Sequence, residues 1–224
     1  MKVVAIVQAR MGSTRLPNKS LLKLHGHPIC EWVYIRLKKS KLLDEILFAI
    51  PETKENDILD NFLKSKNISV YRGSEHDVLD RFYNAAKENN ADIVIRICAD
   101  NPLVCPDEID NLINFFINSK CDYAYNHIPK GNNYPDGLGG EVCSLETLRT
   151  IFELAVELKD REHVFNFLLK HPKKFKIETF DAKPEISGTN IKLDIDTMDD
   201  FLKLSMKELS INMHAIDIVR LFRD

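Results

Sequence analysis

No CxxC pair and no apolar run of membrane length occurs in the 224 residues. The five cysteines, Cys30, Cys98, Cys105, Cys121 and Cys143, lie singly in apolar or loop contexts. They read as buried reduced thiols, and with them goes an expectation of a cytoplasmic address. The N-terminus reads as a strand and carries no apolar signal core or small-residue cleavage site, in line with that expectation. Without a span, no membrane partner is expected. His25, His27, His76, His127, His171 and His214 show no ligand spacing, so no zinc site is expected. Neither charge dominates: 31 Lys and Arg face 34 Asp and Glu, for a formal net charge of −3. A nucleic-acid binder is usually basic, so that class is set aside. Neither GxxxxGK[ST] nor GxGxxG is present. No repeat or low-complexity segment stands out. The length fits one α/β domain, or one domain with a small insertion.

What is there is organised around Gln8 to Lys19, QARMGSTRLPNK. It follows the apolar run Val3 to Val7, which reads as a buried parallel strand. Three cations, Arg10, Arg15 and Lys19, surround Gly12 and the hydroxyls of Ser13 and Thr14. A loop at the carboxyl end of a first strand is where open α/β sheets bind ligands. Exposed backbone N–H groups and guanidinium forks suit a polyphosphate. The plainer alternative is a basic surface loop.

Further along, strand and helix alternate. Glu45 to Ile50, Ile68 to Tyr71 and Asp92 to Cys98 read as strands, the last of them central. A helix opens at His27-Pro28. Others cover Glu55 to Lys64, with Ile58, Leu59, Phe62 and Leu63 inward, and Asp77 to Glu88. This alternation predicts βαβ units in a mostly parallel sheet. Right-handed crossovers then bring residues 8–19, 51–57, 72–77 and 99–105 to one rim. Asp107 to Asn118 reads as a helix and Asp122 to Asn126 as a strand. Residues 127–140, rich in Gly, Pro and Asn, read as a long irregular segment of the kind that is often functional. Glu146 to Leu158, Glu162 to Leu169, Met198 to Glu208 and Ala215 to Phe222 read as helices. Phe175 to Phe180 and Asn190 to Leu193 read as short strands.

Two acids stand out. Asp100, after the central strand, is expected at the rim beside the first loop, although Asp and Asn before Pro also make plain turns. Magnesium favours one or two carboxylates plus substrate phosphates. Asp196 precedes a helix whose own acids, Asp199 and Asp200, are explained by the helix dipole. Asp194 is a weaker candidate. Asp77 reads as a helix N-cap.

The pattern A-R-x-G-S-x-R-L-P-x-K, carried by Ala9, Arg10, Gly12, Ser13, Arg15, Leu16, Pro17 and Lys19, resembles the signature of the cytidylyltransferases that make CMP-activated sugar acids. Within them the chain resembles the spore-coat polysaccharide synthesis protein F-like branch, over nearly its whole length. The resemblance implies a three-layer α/β/α sandwich with a Rossmann-like, mostly parallel sheet, of the nucleotide-diphospho-sugar transferase type. It implies one domain over 1–224, with a substrate-binding and dimerisation insertion at about 123–145, and a homodimer. Mg²⁺ is expected on Asp100 and on Asp196, the latter in a D-T-x-x-D turn where Met198 replaces the usual Pro. The nucleotide is expected at Ala9, Arg10, Gly12, Ser13, Arg15 and Lys19. The segment from Tyr71 to Phe82 resembles the base-recognition segment, with Gly73, Ser74 and Arg81 at the nucleotide. Asn101, Asn126, Asp136, Gly137 and Glu141 are expected at the sugar. Gly139-Gly140-Glu141 stands where these relatives carry an acid and then Glu, so Glu141 is kept and the preceding acid is not. Arg161, Glu162 and His163, in D-R-E-H-V, are expected to contact substrate.

The implied reaction is attack of a sugar hydroxyl on the α-phosphorus of CTP with loss of pyrophosphate. Arg10, Arg15, Lys19 and Asp100 would form its catalytic set. Nucleotidyl transfer rests on positioning and charge stabilisation, so no protein nucleophile is required. Three alternatives stay open at this point. They are a phosphate-monoester acceptor, a glycosyltransferase (against which stands the missing second acid of D-x-D at Ala99-Asp100-Asn101), and a nucleotide-binding module without turnover.

Overall fold

The computed structural model describes residues 1–223. The chain begins with β1 (Val3–Gln8), whose apolar residues are all buried because helices cover both faces of the strand. A loop and a 3₁₀ turn (Lys19–Leu21) lead to a small hairpin, β2 (Lys23–Leu24) and β3 (His27–Pro28). Then follow α1 (Ile29–Leu37), β4 (Glu45–Pro51), α2 (Asp57–Ser65), β5 (Ser69–Gly73), α3 (Val78–Glu88) and β6 (Ile93–Cys98). The second half holds α4 (Pro106–Ser119), β7 (Tyr123–Tyr125), β8 (Glu141–Ser144), α5 (Leu145–Leu154), α6 (Leu158–Arg161) and α7 (Asn166–Lys170). It ends with β9 (Ile177–Thr179), α8 (Met198–Ser205) and α9 (Ala215–Phe222).

The main sheet has seven strands in the order β5-β4-β1-β6-β8-β7-β9. It is parallel except at β8, which runs antiparallel to β6 and β7. As read from the sequence, β6 is central. One face packs Val3, Ala5, Val7, Ile95 and Ile97 against α1, α2 and α4. The other packs Val4, Ile6, Leu47 and Val94 against α3, α5 and α7. This is the three-layer α/β/α arrangement. A third cluster, with Leu16, Trp32, Tyr134, Leu138, Leu193 and Ile195 among its members, joins the first loop, residues 134–138 and the C-terminal helices.

Some elements differ from the sequence reading. Ile58 is 59% exposed, whereas Leu59 and Leu63 are buried on the inward face of α2 and Phe62 packs partly against the same cluster. β4 runs one residue past the expected end at Ile50, with Pro51 paired to Gly73. The helix expected at Glu162 to Leu169 starts only at Asn166, as α7, and residues 162–165 form a turn between α6 and α7. Asn190 to Leu193 makes only an isolated bridge, Lys192 with Asp136. Residues 123–145, expected as an insertion, supply β7 and β8 to the main sheet itself.

Candidate active site

The strand ends converge as the parallel topology requires. They enclose a cleft of about 520 Å³ whose lining comes from the first loop, residues 75–81, the end of β6, residues 162–163 and Asp196. Residues 51–57 do not reach it. They brace the first loop from behind, where the fully buried Asn56 accepts the Met11 N–H at 2.9 Å.

Lys19 is the hinge of the arrangement. Its ammonium donates to Asp100 Oδ2 at 2.7 Å and lies 3.5 Å from Asp196 Oδ1. The two carboxylates therefore flank one cation, no further apart than those two distances laid end to end. Arg15 Nη2 adds a second contact to Asp196 Oδ1 at 2.9 Å. Backbone pairing explains why residues so distant in sequence meet: the Ile195 N–H donates to the Asp100 carbonyl at 2.9 Å. A capping box then sets the next turn. Thr197 Oγ1 accepts the Asp200 N–H, and Asp200 Oδ2 accepts the N–H groups of Thr197 and Asp196. Burial pushes the Asp200 carboxyl up, but Lys192 and these hydrogen bonds outweigh it and hold it at about 2.

Behind this pair lie Asp136 and Asp194. Burial raises both carboxyls, and their acidic neighbours raise them further. Asp194 reaches about 6, with Lys192 only partly offsetting the shift. Its Oδ1 is buried without a hydrogen-bond partner. The glycine that follows Asp136 is fixed by this packing. Gly137 has φ +89°, and a Cβ there would lie 2.8 Å from the Asp194 nitrogen.

Of the nucleotide set, Ala9, Arg10, Ser13, Arg15, Lys19 and Arg81 line the cleft. Gly12, Gly73 and Ser74 do not. Ser74 is occupied locally: its Oγ accepts the Asp77 N–H at 3.0 Å and its carbonyl accepts from Arg81 Nη1. Arg81 is 1% exposed, with Nε buried and unpartnered. Burial first, and then Arg10 nearby, lower its guanidinium to about 10.

Of the sugar set, only Glu162 and His163 line the cleft. Asn101 is buried in its own turn. Asn126 is a fully buried brace, donating to the Glu108 carbonyl at 3.0 Å and accepting the Gly140 N–H at 2.9 Å. Glu108 also accepts the Tyr134 phenol at 2.5 Å. Asn126 leaves no room for a side chain at 139, where a Cβ would collide with its amide. Asp136 pairs with 191–193 and the Gly137 N–H donates to the His127 carbonyl at 2.9 Å, and neither residue lines the cleft. Glu141 is 4% exposed, its oxygens taken by Arg96 and Tyr123. Arg161 binds Asp77 Oδ2 at 2.6 Å and two carbonyls, and so clamps α6 to the start of α3.

The sequence reading missed Gln8, Glu75, His76, Arg96 and Cys98, which also line the cleft. The overlooked signal was a lone arginine inside an apolar strand. Burial raises the Cys98 thiol to about 12, so it is no nucleophile at neutral pH.

A cation-rich loop at the first strand's end, two carboxylates flanking one ammonium at the rim, and a mostly parallel three-layer sheet define a nucleotidyltransferase. The cytidylyltransferase family model matches residues 4–212. The chain belongs to that family and is a CTP-dependent nucleotidyltransferase. It is 39% identical over 201 residues to an uncharacterized protein of Methanocaldococcus jannaschii, covering 90% of this chain and 81% of that one. It is 32% identical over 204 residues to the spore coat polysaccharide biosynthesis protein SpsF of Bacillus subtilis, covering 89% and 83%. A 3-deoxy-manno-octulosonate cytidylyltransferase of Chloroherpeton thalassium is 38% identical over 117 residues, 52% of this chain and 47% of that one. Among solved structures, a cytidylyltransferase from Leptospira borgpetersenii superposes with a TM-score of 0.89 at 29% identity, covering 99% and 93% of the two chains.

Proposed function

We propose that the enzyme transfers CMP from CTP to a hydroxyl of a 2-keto-3-deoxy sugar acid, releasing pyrophosphate, in the making of a surface polysaccharide or glycan. The observation that carries this reading is Lys19 between Asp100 and Asp196, under a loop bearing Arg10 and Arg15. The names of two relatives, one in polysaccharide synthesis and one acting with 3-deoxy-manno-octulosonate, support the acceptor class.

In this reading the rim loop holds the triphosphate. Arg10, Arg15 and Lys19 neutralise its oxygens. The acceptor hydroxyl attacks the α-phosphorus, the bond to the pyrophosphate oxygen breaks, and the hydroxyl proton leaves to solvent. Glu75, His76 and Arg81 wall the side on which the base is expected.

The donor set fits a magnesium ion. Two carboxylates already share one cation, and Asp194 Oδ1 is buried without a partner beside them. Among the described residues no cluster of three or more protein ligands forms a closed metal cage, which matches an ion completed by phosphate oxygens. Asp100 and Asp196 would hold it, and when bound it would supply charge neutralisation and orientation.

The test is pyrophosphate release from CTP, UTP and ATP with a panel of 2-keto-3-deoxy sugar acids, with products weighed by mass spectrometry. A CMP-sugar is expected. A CDP product formed only from a phosphate monoester would replace this acceptor class.

A further inference from the structure

The cleft floor carries a cation outside the rim loop. Arg96 sits in β6 between Ile95 and Ile97, its side chain 15% exposed and lining the cleft. The antiparallel register places it directly opposite Glu141 of β8. Its Nη1 is ion-paired with Glu141 Oε2, and its Nε donates to Gln8 Oε1 at 3.0 Å. Glu141 is held in turn. The Tyr123 phenol donates to its Oε1 at 2.6 Å, and His127 Nε2 lies 3.9 Å from Oε2. The guanidinium is thus fixed from β1 on one side and β8 on the other. Nη2 has no protein partner among the described residues and is not among the buried unpartnered atoms, and the residue lines the cleft. A buried ion pair adds little net stability over an apolar pair. The pair is therefore weak evidence that the arginine is kept for stability.

We propose that Arg96 determines specificity by gripping an oxyanion from the cleft floor, and that this oxyanion is the carboxylate of the acceptor. The inference rests on the sugar-acid reading of the acceptor. The triphosphate has its own cations at the rim, whereas Arg96 lies inside β6, two residues and so roughly 7 Å back from the end of the strand at Cys98. Its anchor, Glu141, closes the segment between β7 and β8, on the side of β6 away from β4 and β5. A guanidinium edge held in one orientation suits a planar carboxylate. The consequence is discrimination: an acid acceptor is used and its neutral analogue is rejected.

Arg96→Gln alone strands the Glu141 charge in a buried site and can unfold the chain. The pair Arg96→Gln/Glu141→Gln removes both charges and leaves an acceptor for the Tyr123 phenol. The probes are 3-deoxy-manno-octulosonate and N-acetylneuraminate, each with its carboxamide, assayed for pyrophosphate release with CTP and Mg²⁺. Thermal unfolding is followed in parallel. Wild type is expected to favour an acid over its carboxamide by roughly tenfold to a hundredfold, the worth of one charge-assisted hydrogen bond. The double variant is expected to lose that preference and to raise the KM for the acid by a similar factor, with the KM for CTP within about twofold. Arg96→Lys should restore part of it. A rise in the KM for CTP with the acceptor KM unchanged would assign Arg96 to a phosphate and overturn the proposal. A fall in unfolding temperature with both KM values unchanged would overturn it in favour of a structural pair. Turnover by wild type of neutral sugars or phosphate monoesters, but of no sugar acid, would instead sink the acceptor reading on which the inference stands.

Discussion

Arg15 and Lys19 both touch Asp196, yet removing them has different expected consequences. The Arg15 side chain is 65% exposed, and an exposed ion pair contributes about 0–1 kcal/mol. Arg15→Ala should therefore leave the unfolding temperature nearly unchanged. It should lose about 3 kcal/mol of transition-state stabilisation, as for one preorganised charge donor. Wild-type turnover would remove the phosphate role. Lys19 is only 13% exposed and compensates two carboxylates that otherwise face each other. Lys19→Met should tighten binding of Mn²⁺ in the absence of nucleotide, measured by titration, while weakening CTP. Weaker Mn²⁺ binding would contradict the shared-cation site. Glu141 gives a pH signature. Burial pushes its carboxyl up, but Arg96, His127 and Tyr123 outweigh it, and the net shift is below 4.5. A depressed carboxylate stabilises the fold above its unfolded pKa, and the contribution is lost as pH falls through the folded one. The stability gap between wild type and Glu141→Gln in urea should be largest above pH 4.5 and should shrink below it. A constant gap from neutral to strongly acid pH would count against the pair.

At the scale of elements, the turn entering α8 holds Asp196 in place. Its capping box joins Thr197 and Asp200, and Asp200 also accepts the Asp196 N–H at 3.0 Å. Thr197→Ala should cost about 1 kcal/mol of stability and should lower activity with the rim loop untouched. Unchanged activity at reduced stability would show that the cap does not position Asp196. The elements also explain what the sequence disclosed. Buried parallel strands read as continuous apolar runs, so β1, β4 and β6 were legible. β8 was not, because it is four residues long and opens on a buried Glu141 that reads as polar. With β8 unseen, Arg96 had no visible partner, and its place in the cleft went unread. Asn126, Asp136, Gly137 and Glu141 are expected at the sugar only through the family resemblance, which places the segment and not its hydrogen bonds. In the fold, Asn126, Tyr134 and Glu141 spend their polar groups on Glu108, Gly140, Arg96 and Tyr123. Periodicity has no means of registering such internal bonds. Residues 162–165 form a turn, which is how Glu162 and His163 reach the cleft without belonging to a helix.

At the scale of the whole molecule, parallel crossovers gather the strand ends on one rim, and the C-terminal third returns to deliver Asp196 there. The Ile195 to Asp100 backbone bond closes that return. The loop motif and the two rim aspartates were legible because each is local in sequence: Asp100 closely follows the apolar run of β6, and Asp196 lies in the D-T-x-x-D turn before α8. The cleft floor was not, because it is assembled from β1 and β6 side chains on a face that only the sheet register defines. A pocket built to hydrogen-bond one base rejects an analogue by roughly 10⁴-fold, so CTP should outcompete UTP and ATP by a wide margin. The most direct measurement is the mass of the product formed from each nucleotide with a 2-keto-3-deoxy sugar acid. The expected result is a CMP-sugar with one pyrophosphate released per turnover, from CTP in strong preference to the others. Equal use of the nucleotides, or no product from any sugar acid while a phosphate monoester yields a CDP compound, would contradict it.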